Sequence, residues 1–126
     1  MNFEKFIQPK QVKIGDRDFT ISMIPALDAL PIHNAVAKAI ADNGLLGITM
    51  LPVAVDRQIL GYVAANEGGV NIVPDTDRLF NDIFKGRISD AKELVIMMVK
   101  ENFGFLITGD LLDKLVDRQE ATDSVS

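Results

Sequence analysis

The alternation of apolar and polar residues over positions 12–24 constrains the fold of this chain more than any other feature of its sequence. In the segment VKIGDRDFTISMI, apolar side chains occupy every second position on either side of a central GDRD. A period of two is typical of β-strands with one buried face. Because GDRD is rich in residues that form turns, the two runs are predicted to pair as a β-hairpin.

After Ile24 the apolar residues follow the spacing of helices and continue to do so. Leu27 and Leu30 are assigned to a short turn before the first helix. Five helices are predicted from this spacing, with prolines, capping residues and glycines as their boundaries. They begin near Pro31, Pro52, Thr76, Asp90 and Asp110, and they end before Gly44, Gly68, Gly86, Gly104 and Glu120.

Two strands by themselves are only marginally stable in water, so the helices are expected to cover the apolar face of the hairpin. The sequence therefore predicts an α+β fold, mainly α, with an N-terminal β-hairpin packed on four or five helices. With 126 residues the chain has the usual length of one domain. We assign that domain to residues 1–119, with the hairpin at about 12–24 and the helices at about 26–119, and we expect a disordered tail at 120–126.

The charge of the chain disfavours two classes of partner. Its formal net charge is -5, whereas nucleic acids and anionic lipids are bound by clustered lysines and arginines. The longest apolar stretch is interrupted by Lys100, Glu101 and Asn102, so it falls short of the roughly 20 apolar residues that a membrane span requires. We therefore expect no nucleic acid partner and no membrane partner. The absence of cysteine fits a reducing compartment, so we expect a cytoplasmic location.

The polar residues form no pattern that indicates catalysis. His33 is the one histidine and cysteine is absent, so the usual ligands of a zinc site are missing. The pairs Asp16/Asp18 and Asp75/Asp77 lack the spacing of a calcium-binding EF-hand loop and are assigned to turns and helix caps. We expect no enzymatic activity, no cofactor and no metal, and an ordinary, partly exposed helix position for His33.

The stretch LVIMMVKENFGFLI at positions 94–107 admits two interpretations. A helix that is apolar on more than one face is normally the central helix of a core. Alternatively, methionines followed by aromatic residues provide an adaptable surface for apolar partner segments. Met98 is assigned to the core. The predicted partner-binding surface consists of the apolar residues around and after Gly104, namely Phe103, Phe105, Leu106, Leu111 and Leu112.

The order of these segments resembles that of the phage tail assembly chaperones, small cytoplasmic proteins made during the assembly of long-tailed bacteriophages. The resemblance is carried by VKIGDRDFTISMI, by the IPALDALPIHNAVAKAI that follows, and by KENFGFLITGDLLDKL, which is similar to the aromatic NF..F segment near the end of such proteins. It spans most of the chain from Val12 to Leu115. The resemblance implies a location in the host bacterial cytoplasm and a specific partner. That partner is the tape measure protein, a long apolar helical chain that must stay soluble until the tail tube forms around it.

A structural virion subunit, such as a tail-terminator or head–tail connector protein, is the alternative function. Such a subunit would also be small, acidic and α+β. It would differ by closing a ring through heterologous interfaces between its copies. The sequence leaves open whether the protein forms a homo-oligomer, so a stable ring of purified protein would favour this alternative.

Overall fold

The N-terminal hairpin predicted from the alternating pattern is confirmed. A computed structural model describes residues 9–107, apart from the side chains at positions 105 and 107. In it β1 (Lys10–Ile14) pairs antiparallel with β2 (Arg17–Ile21), and Gly15 in the connecting turn has a φ of 62°. A positive φ at the first of two turn residues is typical of a type II′ hairpin turn, which glycine adopts at no steric cost.

A second hairpin forms where the sequence analysis predicts the end of a helix. β3 (Val63–Glu67) pairs with β2 and with β4 (Val70–Ile72), so the sheet has the antiparallel order β1-β2-β3-β4. The helix predicted to reach Asn66 ends at Leu60 instead. Gly68 and Gly69 both have positive φ, which is the conformation of a type I′ turn between two strands. The glycine pair is therefore a hairpin turn and not a helix end.

Helices make up most of the remaining structure. The α+β class, with more helix than strand, is confirmed, and residues 9–107 contain four α-helices and one 3-10 helix. The predicted fifth helix over 110–119 and the predicted tail at 120–126 lie outside the described residues. The observed elements are α1 (Ala26–Asn43), the 3-10 helix (Gly44–Met50), α2 (Val53–Leu60), α3 (Asp77–Phe84) and α4 (Ile88–Ile107).

α1 begins five residues before the predicted start and contains Pro31 in its interior. Proline has no N–H, so the carbonyl of Leu27 lacks its usual partner four residues further along the helix. Leu27 is highly exposed, and water can therefore replace the missing hydrogen bond. The prediction of a separate turn over Leu27 and Leu30 is wrong for this reason.

A close approach between the 3-10 helix and α1 requires a glycine. A Cβ atom at Gly47 would lie 2.1 Å from the carbonyl oxygen of Ala39, so a larger residue would force the two helices apart. The chain then returns along α1. As a result, the hydroxyl of Tyr62, just past α2, donates to the carboxylate of Asp28 near the start of α1.

The middle of α4 forms the centre of the core. Leu94 and Met98 are fully buried, so the assignment of Met98 to the core is confirmed. The inward face of the sheet packs on the same core through Phe19, whose ring stacks on that of Phe84 in α3 with centroids 6.3 Å apart. Each of the other helices packs on α4, which explains why this segment is apolar on several faces.

α4 bends at Phe103, whose φ of -131° and ψ of 37° are not helical. Asn102 lies just before the bend and connects three parts of the backbone. Its side-chain oxygen accepts a hydrogen bond from the N–H of Ile24 at 2.8 Å. Its amide nitrogen donates to the carbonyl of Met98 at 3.0 Å and to that of Ser22 at 3.4 Å. The predicted helix end at Phe103 is therefore a bend, and helical residues continue to Ile107.

Candidate partner-binding groove

The structure buries two of the residues that the sequence analysis assigns to a partner-binding surface. Phe103 is 5% exposed and Leu106 is 2% exposed, which corrects the prediction that these side chains face solvent. The bend in α4 turns the ring of Phe103 towards α1, where its centroid lies 5.8 Å from that of His33. The prediction for the other three residues falls outside what the structure describes. Leu111 and Leu112 lie beyond residue 107, and the side chain of Phe105 is not described.

Large apolar side chains are exposed elsewhere in the molecule. Two lie at the start of α1, three on the 3-10 helix, one at the start of each of α2 and α4, and two in or just after β4. In chain order they are Leu27, Leu30, Leu45, Leu46, Met50, Val53, Val70, Val73 and Ile88. Exposed apolar residues are informative where they border a continuous depression, because such surfaces often bind other molecules.

Val53 and Ile88 border such a depression between α2, α3 and α4. They are 73% and 60% exposed, and they line a cavity of about 150 Å³ whose other apolar walls come from Leu60, Phe80, Ala91 and Val95. A neighbouring cavity of about 300 Å³ shares Phe80 and Ile88 with the first and extends over Phe84. We name the two cavities together the α2–α4 groove. Phe80 and Ile88 are common to both compartments of this groove.

The ends of α3 place Phe80 beside Ile88. α3 begins at a capping residue, Thr76, whose hydroxyl oxygen accepts an N–H of the first turn at 3.2 Å. Phe80 and Phe84 are four residues apart and therefore lie on one face, with ring centroids 5.0 Å apart. After α3, Gly86 adopts a φ of 72°, which allows the chain to turn tightly into α4.

A partly buried ion pair between Lys92 and Asp56 forms part of the groove wall. Lys92 Nζ donates to Asp56 Oδ2 at 2.7 Å, and Asp56 is 9% exposed. The other carboxylate oxygen, Oδ1, has no hydrogen-bond partner among residues 9–107. Burial raises the pKa of Asp56 above its ordinary value, and the hydrogen bond and charge of Lys92 only partly oppose this effect. A buried acceptor without a donor costs about 1–3 kcal/mol. This part of the wall therefore contributes less to the stability of the fold than the apolar core beneath it.

Arg57 provides a charged rim over the aromatic part of the groove. Its guanidinium carbon lies 5.5 Å from the centroid of the Phe80 ring, and the same group pairs with the carboxylate of Asp77. A cation over a ring face is attracted by the electron-rich ring. The groove therefore combines an apolar floor with a polar edge, which is the usual anatomy of a protein–protein interface.

None of the residues that line this groove belongs to the partner-binding surface predicted from the sequence. Val53 and Ile88 are the first residues of α2 and α4, and their apolar character alone indicates burial. The one signal available in the sequence is Asp56, a charged residue placed three and four positions before the buried Ile59 and Leu60. A carboxylate on the buried face of a helix indicates either an ion pair or a site.

Three further observations concern metal sites, membrane spans and similarity to known proteins. Among residues 9–107, no group of three or more histidine, aspartate or glutamate side chains is arranged to hold a metal ion. In the same range, no single helix has both the length and the apolar character to cross a membrane, although the bent pair Ala26–Met50 and Val53–Leu60 passes that test jointly. Comparisons with protein-family models, curated proteins and solved structures found no match to this chain. The geometry of the α2–α4 groove is therefore the basis for assigning a function.

Proposed function

We propose that this protein is an assembly chaperone that binds an apolar helical polypeptide in the α2–α4 groove and keeps that polypeptide soluble. The observation that carries this proposal is the two-compartment apolar groove with Val53 and Ile88 exposed at its edge. The resemblance to phage tail assembly chaperones implies that this polypeptide is the tape measure protein and that it is bound in the host cytoplasm.

The shape of the groove suits a helical partner. An amphipathic helix presents apolar side chains three and four residues apart, about 5–6 Å from one another, on one face. The two compartments adjoin at Phe80 and Ile88, so they can receive two such side chains from successive turns. Burying one large apolar side chain contributes about 1.5–3 kcal/mol. Two anchors therefore contribute about 3–6 kcal/mol, and further contacts along the helix are needed to offset the translational and rotational freedom lost on association.

The charge of the chain suits a soluble carrier. The formal net charge of -5 makes complexes of the carrier with an apolar partner repel one another, which opposes their aggregation. The same charge disfavours binding to the phosphates of nucleic acids. We therefore propose a protein partner, with neither a nucleic acid nor a membrane as target and with no catalytic role.

The exposed residues of the 3-10 helix support the alternative function, a structural virion subunit. Leu45, Leu46 and Met50 are exposed, and exposed apolar residues also serve as contacts between copies of a ring-forming subunit. Light scattering of the purified protein separates the two functions. A stable ring would favour the virion subunit, whereas a monomer or small oligomer that associates with an apolar partner would favour the chaperone.

Co-expression of this chain with its proposed partner, a phage tape measure protein, tests the proposal. Val53→Asp and Ile88→Asp should each lower the amount of tape measure protein recovered in the soluble complex by about tenfold or more, because an unpaired charge would have to be desolvated in the interface. Val70→Asp is the matched control, since Val70 is 58% exposed and lies on β4. An equal loss with Val53→Asp and Val70→Asp would contradict the α2–α4 groove as the binding site.

A further inference from the structure

The charged residues that line the α2–α4 groove differ in sign from the chain as a whole. In the full sequence 18 acidic residues outnumber 13 lysines and arginines. Within residues 9–107, however, the charged residues of the groove lining are three cations and one anion, namely Arg57, Lys85, Lys92 and Asp56. Asp77 pairs with Arg57 without belonging to the lining, and cations remain in excess when it is counted. The groove is therefore a cationic region of an acidic protein.

The same cations give the groove more hydrogen-bond donors than acceptors. Lysine and arginine side chains have several N–H groups and no acceptor. Lys92 donates to Asp56 and Arg57 donates to Asp77, and each keeps further N–H groups for other contacts. Lys85 is exposed and forms no ion pair within residues 9–107. A partner that fits this groove supplies acceptors, and carboxylates form the strongest hydrogen bonds to such cations.

The cations border the apolar floor of the groove. The guanidinium carbon of Arg57 lies 5.5 Å from the centroid of the Phe80 ring. Lys85 lies in the turn between α3 and α4, three residues before Ile88, and Lys92 lies about one turn after Ile88 on α4. Phe80 and Ile88 are the residues common to both compartments. A helix that places apolar side chains in these compartments therefore has cations close to the residues beside its apolar stripe.

We propose that the partner segment in the α2–α4 groove is an acidic amphipathic helix, with aspartate or glutamate residues beside its apolar stripe. Its apolar side chains occupy the two compartments, and its carboxylates accept hydrogen bonds from Arg57, Lys85 and Lys92. This inference rests on the proposed function and adds the charge of the bound segment to it. The net charge of -5 would by itself attract basic partners, so the local and the overall charge make opposite predictions.

Three synthetic helical peptides test this inference. All three have the same stripe of leucines at helical spacing and have acetylated and amidated ends, and the residues beside the stripe are all glutamate, all glutamine or all lysine. These three residue types have similar helix propensities, and circular dichroism verifies that the helix contents are equal. Fluorescence anisotropy of the labelled peptides with the purified full-length protein measures each Kd, first at low ionic strength and then at about 1 M salt, where charges are screened beyond about 3 Å.

The glutamate peptide should bind at least about tenfold more tightly than the lysine peptide, with the glutamine peptide between them. One exposed ion pair changes affinity by about 1.4- to 5-fold, and the lysine peptide replaces several such pairs by contacts between like charges. The preference should decrease at high salt. Equal affinities of the three peptides, or tighter binding of the lysine peptide as net charge alone predicts, would overturn the inference.

Two charge reversals locate the preference within the molecule. Lys85→Glu breaks no ion pair within residues 9–107, and it should reduce the preference for the glutamate peptide to less than about threefold. Lys38→Glu is the matched control, because Lys38 is exposed on α1 outside the groove and the change in net charge is the same. The control should keep the preference of the parent. An equal preference in the two variants would place the selectivity outside the groove and would also overturn the inference.

The same peptides separate this inference from the proposed function. Ile88→Asp should abolish the binding of all three peptides, because each of them uses the apolar floor of the groove. If the three peptides bind the parent equally and Ile88→Asp abolishes their binding, the proposed function stands and the acidic partner is wrong. If none of the peptides binds the parent, both the helix-binding function and the acidic partner are contradicted.

Discussion

The middle of α4 and the edge of the α2–α4 groove contain similar apolar residues and differ completely in exposure. Leu94 and Met98 are fully buried, whereas Val53 and Ile88 are largely exposed. Ile88 and Leu94 even belong to the same helix, less than two turns apart. The comparison shows that apolar character identifies candidates for burial, and that the packing of neighbouring elements selects among them.

The physical basis of this difference is the position of each residue relative to the other helices. The middle of α4 is enclosed because α1, α2, α3 and the 3-10 helix all pack on α4. Its first turn lies beside the short helices α2 and α3, which leave the α2–α4 groove between them. Ile88 is consequently exposed although it begins the most apolar of the α-helices within residues 9–107.

Two methionines, one in the core and one on the surface, should show the largest difference in stability when they are replaced by alanine. Met98→Ala should lower the free energy of unfolding by about 2–5 kcal/mol, because it removes buried contacts and leaves a cavity in the core. Met50→Ala is the matched substitution at an exposed position of the 3-10 helix, and we expect a change within about 0.5 kcal/mol. Urea denaturation of both variants measures the difference. Similar losses for the two methionines would show that the 3-10 helix is covered in solution.

An introduced charge tests whether the end of α4 belongs to the core. Leu106→Asp should destabilise the protein by about 1–3 kcal/mol, because a buried charge without a partner is unfavourable and local opening of a helix end relieves only part of that cost. Leu46→Asp on the exposed 3-10 helix is the control, with an expected change within about 0.5 kcal/mol. If Leu106→Asp proved as mild as its control, Leu106 would be accessible and a partner surface at the end of α4 would be supported again.

The smallest expected effect on stability is the pH dependence caused by Asp56, which lies between the buried core and the groove. Its folded-state pKa is raised above the ordinary value of 3.8, so the folded protein binds this proton more tightly than the unfolded chain. The contribution of Asp56 to the free energy of unfolding should therefore fall as pH rises from about 3.8 through the folded-state pKa. Asp56→Asn lacks this titration and serves as the reference.

Denaturant melts of the parent and Asp56→Asn at several pH values measure this dependence. The stability of the parent relative to the variant should decrease as pH rises and then level off once Asp56 is ionised in both states. A relative stability that increases with pH would mean that the attraction of Lys92 outweighs burial. That outcome would make the groove wall a favourable ion pair and would weaken the contrast with the apolar core.

Several elements were predictable because the signals that specify them are local. The hairpin of β1 and β2 follows from alternation around a short turn segment, and α3 from apolar pairs between a capping residue and Gly86. The second hairpin was missed because the pair Gly68-Gly69 is compatible with a helix end as well as with a type I′ turn. In this case the neighbouring β2, more than 40 positions earlier in the chain, supplies the strand that β3 pairs with.

The sequence by itself determined that the protein has an N-terminal hairpin, mostly helical structure thereafter, and an apolar segment with Met98 in the core. These properties depend on residues within a few positions of one another, so the order of amino acids contains them. Only the tertiary structure decided that Phe103 and Leu106 are buried and that Val53 and Ile88 are exposed. The α2–α4 groove is formed by three helices from separate parts of the chain, and exposure at such a place depends on how those helices pack, which no local pattern of residues specifies.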